Sequence, residues 1–148
     1  MDRDSLEGLL AMLSVQRTLE TALYCDDLPR AVAFYRDVLG ARVLDQTARF
    51  AALDAGAGSV LLLFRRGASA AGVTFPGGWI PPHDGTGPTH VAFAIPAADL
   101  PGWEEQLAAA GVTVESRIQW PAGGVSLYFR DPDGHSVELA TPGLWATY

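Results

Sequence analysis

The chain has 148 residues, 49% of them hydrophobic, with mean hydropathy +0.14, net charge −7 and a pI near 4.7; this fits one compact domain, or two small modules sharing a core, and excludes a disordered chain. So acidic a chain is a poor match for nucleic acid or an anionic membrane, and no apolar run reaches the ~20 residues that span a bilayer. All ten basic residues are arginine, which leaves no lysine for a Schiff base, and the single cysteine, Cys25, has no internal disulfide partner, in keeping with a reducing cytoplasm.

The chain opens Met1-Asp-Arg-Asp4, acidic where a secretory leader is basic. Leu6, Leu9, Leu10 and Leu13 fall at helical spacing behind an Asp4 or Ser5 cap, so residues 1–16 are expected to form a helical extension that packs on the sheet or at a subunit interface. Residues 19–25 alternate as a strand: Leu19, Leu23 and Cys25 on one face, Glu20, Ala22 and Tyr24 on the other. A helix follows, with Asp27 as cap, Pro29 in the first turn, an apolar stripe of Leu28, Ala31, Val32, Tyr35, Val38 and Leu39, and Gly40 as its stop. Short strands are expected at 42–45, 49–53 and 59–64. Residues 66–88, rich in glycine and proline, form a connection long enough to be a lid or binding loop.

The second half repeats that order. In 89–95, His90, Ala92 and Ala94 share one face and Val91, Phe93 and Ile95 the other. Asp99 is the expected cap of a second helix with Leu100, Trp103, Leu107 and Ala110 inward and Gly111 as its stop. Strands are expected at 112–118, 125–130 and 136–140, with a turn at Asp131-Pro-Asp-Gly134 and a tail at 143–148. Gly40 and Gly111 lie 71 positions apart, and Glu20 and His90 lie 70 apart. The repeat thus puts a carboxylate and an imidazole, two potential metal ligands, at one place in two copies of a unit, each beside alanines that leave room above its face.

Three segments, Asp27-Leu-Pro-Arg-Ala-Val-Ala-Phe-Tyr-Arg-Asp-Val-Leu-Gly40, Gly87-Pro-Thr-His-Val-Ala-Phe93 and Tyr128-Phe-Arg-Asp-Pro-Asp-Gly-His-Ser-Val-Glu-Leu139, resemble the vicinal oxygen chelate superfamily of glyoxalase I, extradiol dioxygenases, fosfomycin-resistance thiol transferases and bleomycin-resistance proteins. The resemblance implies an α+β fold: two tandem βαβββ modules, at 17–65 and 89–142, forming a curved, partly open mixed-sheet cup with a divalent metal at its floor. It implies Glu20, His90 and Glu138 as metal ligands. The place equivalent to Glu138 in the first copy falls near Leu61, which offers no donor. The ion implied is Mn, Fe, Co, Ni, Mg or Zn. One imidazole and two carboxylates leave positions open for a substrate with adjacent oxygens. A homodimer is implied as well; pairing of the modules within one chain or across two is left open.

Glu138 and His83, the latter in Pro81-Pro-His-Asp-Gly85, are the candidate catalytic groups, His83 as a general acid–base. Phe50, Trp79, Trp120 and Tyr128 are candidate pocket walls, and Arg49 a candidate partner for an anionic substrate group. Arg130 is expected to pair with Asp131 or Asp133, His135 to be structural, and Cys25 to be a buried, inert thiol. No phosphate loop, serine triad spacing or Cys-x-x-Cys is present. Two functions follow: a metal-dependent enzyme favouring isomerase, lyase or addition chemistry over ring cleavage, or a protein of bleomycin-resistance type that sequesters a drug or metabolite.

Overall fold

The computed structural model describes residues 12–148. Its strands are β1 (Glu20–Cys25), β2 (Val43–Gln46), β3 (Phe50–Asp54), β4 (Val60–Arg65), β5 (Val73–Phe75), β6 (Gly78–Ile80), β7 (His90–Ala94), β8 (Ser116–Gln119), β9 (Val125–Arg130) and β10 (Ser136–Ala140). Helix α1 (Leu28–Asp37) follows β1, and α2 (Leu100–Ala109) follows β7 through a 3₁₀ turn at Ala97–Asp99. Two four-stranded mixed sheets result, ordered β1-β4-β3-β2 and β7-β10-β9-β8. In each, the first strand runs parallel to the last and the remaining pairs are antiparallel. The fold is therefore α+β, with strand, helix and three strands written twice and no closed barrel.

Period-2 alternation decides what each sheet buries. Leu23 and Cys25 of β1, Leu61 and Leu63 of β4, Leu127 and Phe129 of β9, and Val137 and Leu139 of β10 meet α1 and α2 in a single core. Helix α1 contributes Leu28, Ala31, Val32 and Tyr35, the stripe read from its spacing. It also reaches the other module: Phe34 packs against Phe129 with ring centroids 6.3 Å apart, and Tyr35 against Phe93 at 6.4 Å. The core lies between the two modules, and the faces bearing Glu20 and Glu138 are those turned away from it.

Several expectations need correction. Residues 66–88 are not all loop: β5 and β6 pair as a hairpin, which the short 73–80 stretch with two glycines did not reveal. The stretch 112–115 is not strand; β8 begins at Ser116. Asp27 caps α1, accepting a hydrogen bond from the Arg30 amide at 3.1 Å. Asp99 does not cap α2, because the 3₁₀ turn places it in helical geometry already (φ −90°, ψ −7°) and its side chain makes no cap bond. Gly40 and Gly111 both end their helices at φ +72°, the left-handed region glycine favours. Arg130 pairs with Glu115 (2.8 Å) and the Gly134 carbonyl (3.2 Å), not with the turn carboxylates. The N-terminal helix expected at 1–16 falls largely outside the described residues; Met12 to Gln16 are not helical, and Leu13 is exposed. No helix among the described residues is long and apolar enough to cross a membrane.

Cys25 is buried, and its thiol donates to the Phe64 carbonyl. Burial first, then the Asp133 carboxylate, pushes its pKa from 9.0 up to about 11. A raised thiol pKa contributes stability that is fully present below the ordinary value and lost as pH rises through the folded one. Thermal unfolding is thus expected to hold steady to about pH 9 and fall towards pH 11, with Cys25→Ala removing part of that alkaline loss. Native protein at pH 8 should scarcely react with a disulfide thiol reagent.

Candidate functional site

The second module carries a preformed half-site. Glu138 lies on β10, between β7 and β9, opposite Ala92 and Tyr128. His90 opens β7, and its Nε2 stands 3.2 Å from Glu138 Oε1. The other carboxylate oxygen, Oε2, accepts a hydrogen bond from Ser126 Oγ at 2.5 Å, and Trp120 Nε1 donates to the same hydroxyl at 2.8 Å. The Tyr128 ring stacks on the His90 ring, centroids 6.2 Å apart at 25°. Burial, and next the Glu138 charge, raise the Tyr128 phenol above its ordinary pKa and keep it protonated.

The hydrogen-bond logic of this pair tests whether a metal fits. His90 Nδ1 lies 2.9 Å from the Ser136 carbonyl, which can only accept, so Nδ1 carries the proton. In a neutral ring Nε2 then presents a lone pair to Glu138 Oε1. Two acceptors at that distance call for positive charge beside both, either a proton or a metal cation. Glu138 is 4% exposed, and no arginine pairs with it among the described residues. The His90 side chain is 51% exposed, so the pair is reached from one side. A histidine whose far nitrogen is held by a carbonyl, beside a carboxylate held by a hydroxyl, is the oriented donor arrangement that divalent metals take. The residues present fit such an ion.

The first module carries a different half-site. Glu20 opens β1 on the face of Ala22 and Tyr24, at the rim of a cavity of ≈510 Å³. Phe50, Leu62 and Phe64 line this cavity, and Arg49, Ser69 and His83 lie on its wall as well. Tyr24 Oη and His83 Nδ1 are 2.7 Å apart. The His83 ring meets Phe64 edge-on at 4.5 Å, and its amide donates to the Ser69 carbonyl at 3.0 Å. Arg49 donates to Ser69 Oγ at 3.0 Å and lies over the Phe50 ring.

Of the expected ligands, His90 and Glu138 come together and Glu20 does not join them within one chain. Among the described residues no three His, Cys, Asp or Glu side chains converge as a metal-capable group. Trp120 and Tyr128 border the Glu138 half-site, and Phe50 the Glu20 cavity. Trp79 sits exposed on the β5–β6 hairpin, outside the cavity lining. The first-module counterpart of Glu138, expected near Leu61, is Leu62, which likewise offers no donor: Glu138 pairs with Ala92, two residues after His90, and Leu62 pairs with Ala22, two after Glu20. A shift of one residue reverses the face, and Leu61 belongs to the core.

Ser126, Ser69 and Tyr24 also stand at these candidate half-sites, though none is among the candidates named from the sequence. Ser126 was legible, because a strand that shows Tyr128 on one face shows residue 126 there too. Ser69 had no periodic signal. His135, 1% exposed, bridges the modules: its Nε2 donates to the Tyr24 carbonyl at 2.7 Å, and its Nδ1 accepts from the Thr89 amide at 3.0 Å. It holds the strand of Tyr24 against the residue preceding His90. Nearby, Asp131 accepts from Tyr35 Oη at 2.7 Å and Asp133 from the Asp26 amide at 2.9 Å, so the 131–135 turn of one module is bolted to the other.

The family model described as Glyoxalase/Bleomycin resistance protein/Dioxygenase superfamily matches residues 17–139. The chain is 31% identical over 124 residues to a glutathione transferase FosA of Serratia marcescens, covering 84% of this chain and 79% of that one. It is 45% identical over 58 residues, 38% of each chain, to a metallothiol transferase FosB of Bacillus licheniformis. Among solved structures, a lactoylglutathione lyase from Agrobacterium tumefaciens superimposes with TM-score 0.81 at 36% identity, covering 89% of this chain and 98% of that one.

Proposed function

This chain belongs to the Glyoxalase/Bleomycin resistance protein/Dioxygenase superfamily, and from that premise we propose that it is a divalent-metal-dependent enzyme performing addition or lyase chemistry on a small substrate with adjacent oxygens. The observation that carries this reading is the His90 Nε2–Glu138 Oε1 pair, two oriented acceptors at 3.2 Å. The names of its relatives, a metallothiol transferase, a glutathione transferase and a lyase, support addition and lyase chemistry over ring cleavage. We assign the third ligand to Glu20 of a second copy. Both ligand-bearing faces turn away from the shared core, so face-to-face packing of two copies completes a cup. The exposed Phe75, Trp79 and Ile80 beside the Glu20 cavity suit such a homodimer.

His90 and Glu138 would hold the ion, with Glu20 completing the set; when bound, it supplies Lewis-acid polarisation of a substrate oxygen. The protein's own groups do the rest. Ser126 fixes Glu138 Oε2 and leaves Oε1 to the site. The Ser136 carbonyl holds the His90 ring in one tautomer. Trp120 and Tyr128 wall the site with apolar surface and limit water. His83, fastened by Tyr24 on the opposing face, is the group placed to hold or move a proton at Nε2.

Mixing two inactive variants tests both the metal and the pairing. Glu20→Ala and Glu138→Ala are each expected to bind no metal. After unfolding and refolding together, a mixed dimer holds one site with all three native ligands. Metal content by elemental analysis should then recover to about one quarter of the native value. No recovery would overturn a site shared between copies, and unchanged metal in Glu138→Ala alone would overturn the metal reading. Tight ligand capture indifferent to a chelator, without turnover, would point to a sequestering protein.

A further inference from the structure

We infer that the cavity on the first module is a subsite for the carboxylate of an aromatic monoanion, with Arg49 as the residue that selects the charge. Three observations carry it. Arg49 is half-buried, and although the protein is strongly acidic, its guanidinium pairs with no carboxylate among the described residues; its polar contact is the Ser69 hydroxyl at 3.0 Å. A guanidinium in that setting retains N–H donors and full charge, which a carboxylate satisfies in a two-point fork.

The other polar groups at that end are donors as well. Arg49 and His83 converge on Ser69 from two sides, one on its hydroxyl and one on its carbonyl. Ser69 Oγ accepts from Arg49, which leaves its own O–H to give. The Tyr24 phenol is held protonated, by burial and then by Asp84, so it donates to His83 Nδ1 at 2.7 Å. That bond sets the neutral His83 ring with its proton on Nε2, a donor with no partner among the described residues. Guanidinium, hydroxyl and imidazole N–H form a donor set that matches an anion at this end of the cavity, while the lining carboxylate, Glu20, stands at the rim.

The body of the cavity is flat and apolar. Phe50 and Phe64 stack at 5.8 Å and 26°, Tyr24 and Phe64 at 6.0 Å and 29°, and Leu62, Val73 and Ile80 close the walls. Aromatic surface of this kind takes a ring more readily than a flexible polar chain. At ≈510 Å³ the space admits a mono- or bicyclic aromatic acid. Gly85 packs so close to Tyr24 that a Cβ there would lie 2.5 Å from its ring, so the 81–85 segment sits tightly on the phenol that orients His83.

This deepens the proposed function, since the same face carries Glu20, but it requires no metal. The test is therefore made on chelator-treated, full-length protein, with benzoate and its neutral counterpart benzyl alcohol titrated by calorimetry or ligand-observed NMR. Benzoate is expected to bind at least tenfold more tightly than benzyl alcohol. Arg49→Gln should weaken benzoate about tenfold and leave benzyl alcohol nearly unchanged, while Arg49→Lys keeps part of the preference. Thermal unfolding of each variant reports whether it is folded. Equal binding of the two probes, no benzoate binding, or unchanged benzoate affinity in folded Arg49→Gln would overturn the subsite. Metal content of the untreated protein, measured alongside, reports on the metal site separately.

Discussion

Glu138→Ala is expected to lower divalent-metal affinity by roughly a hundredfold or more, which elemental analysis after exhaustive dialysis would read as metal-free protein. Glu138 is the one ligand candidate that is nearly fully buried, and both of its oxygens are already assigned: Oε2 to Ser126 and Oε1 to the space shared with His90. Alanine removes a negative charge from a site that otherwise offers one imidazole on this module. Ser126→Ala should act more mildly, about ten- to hundredfold, because it frees the carboxylate to rotate without removing it. The order of the two effects is informative. A Ser126 effect equal to that of Glu138 would mean that the carboxylate binds only while the hydroxyl holds it in place.

His135→Ala is expected to cost about 3 kcal/mol or more of stability, measured by denaturant unfolding, and to lower the melting temperature by roughly 6–12 °C. The imidazole is buried, and its removal leaves the Tyr24 carbonyl and the Thr89 amide without their partner across the module boundary. Both bonds are part-buried, so each orphan costs towards the lower end of about 1–3 kcal/mol, and the emptied imidazole site adds a cavity cost. The damage should reach function too. Tyr24 orients His83, and Thr89 precedes His90, so one substitution loosens both half-sites at once. A variant as stable as the native protein would show that the His135 bonds add nothing to what the apolar core and the Asp131 and Asp133 bonds already supply.

Much of the site was legible in the chain because it depends on alternation along single strands. A strand places residues i and i+2 on one face whatever it packs against. So Glu20 with Tyr24, His90 with Ala92, and Glu138 with Ser136 sort onto ligand faces directly from spacing. The helical stripe of Leu28, Ala31, Val32 and Tyr35, and the stops at Gly40 and Gly111, follow in the same way from a period of 3.6 and a preference for positive φ.

Strand register and long-range polar contacts were not legible. The spacing puts the counterpart of Glu138 only near Leu61; the partner strand fixes it at Leu62, and a single step of register exchanges the two faces. The Asp99 cap failed because the 3₁₀ turn took up the residue first. The bonds of His83 to Tyr24, Arg49 to Ser69 and Arg130 to Glu115 join residues 59, 20 and 15 positions apart, and no local rule specifies them.

By itself, then, the sequence determined the repeated βαβββ units, the faces their ligand candidates occupy and the acidic, lysine-free chemistry available to them, because these depend on local periodicity and residue type. Only the tertiary structure decided which candidates meet. Packing α1 and the 131–135 turn between the modules buries the faces opposite the ligand candidates. Parallel pairing of β7 with β10 joins His90 to Glu138, and the packing leaves Glu20 to face outward beside an aromatic cavity that holds Arg49 and His83. That outcome rests on contacts between residues about a hundred positions apart, such as Tyr24 with His135 and Tyr35 with Asp131, whose energy is realised only when both modules are folded.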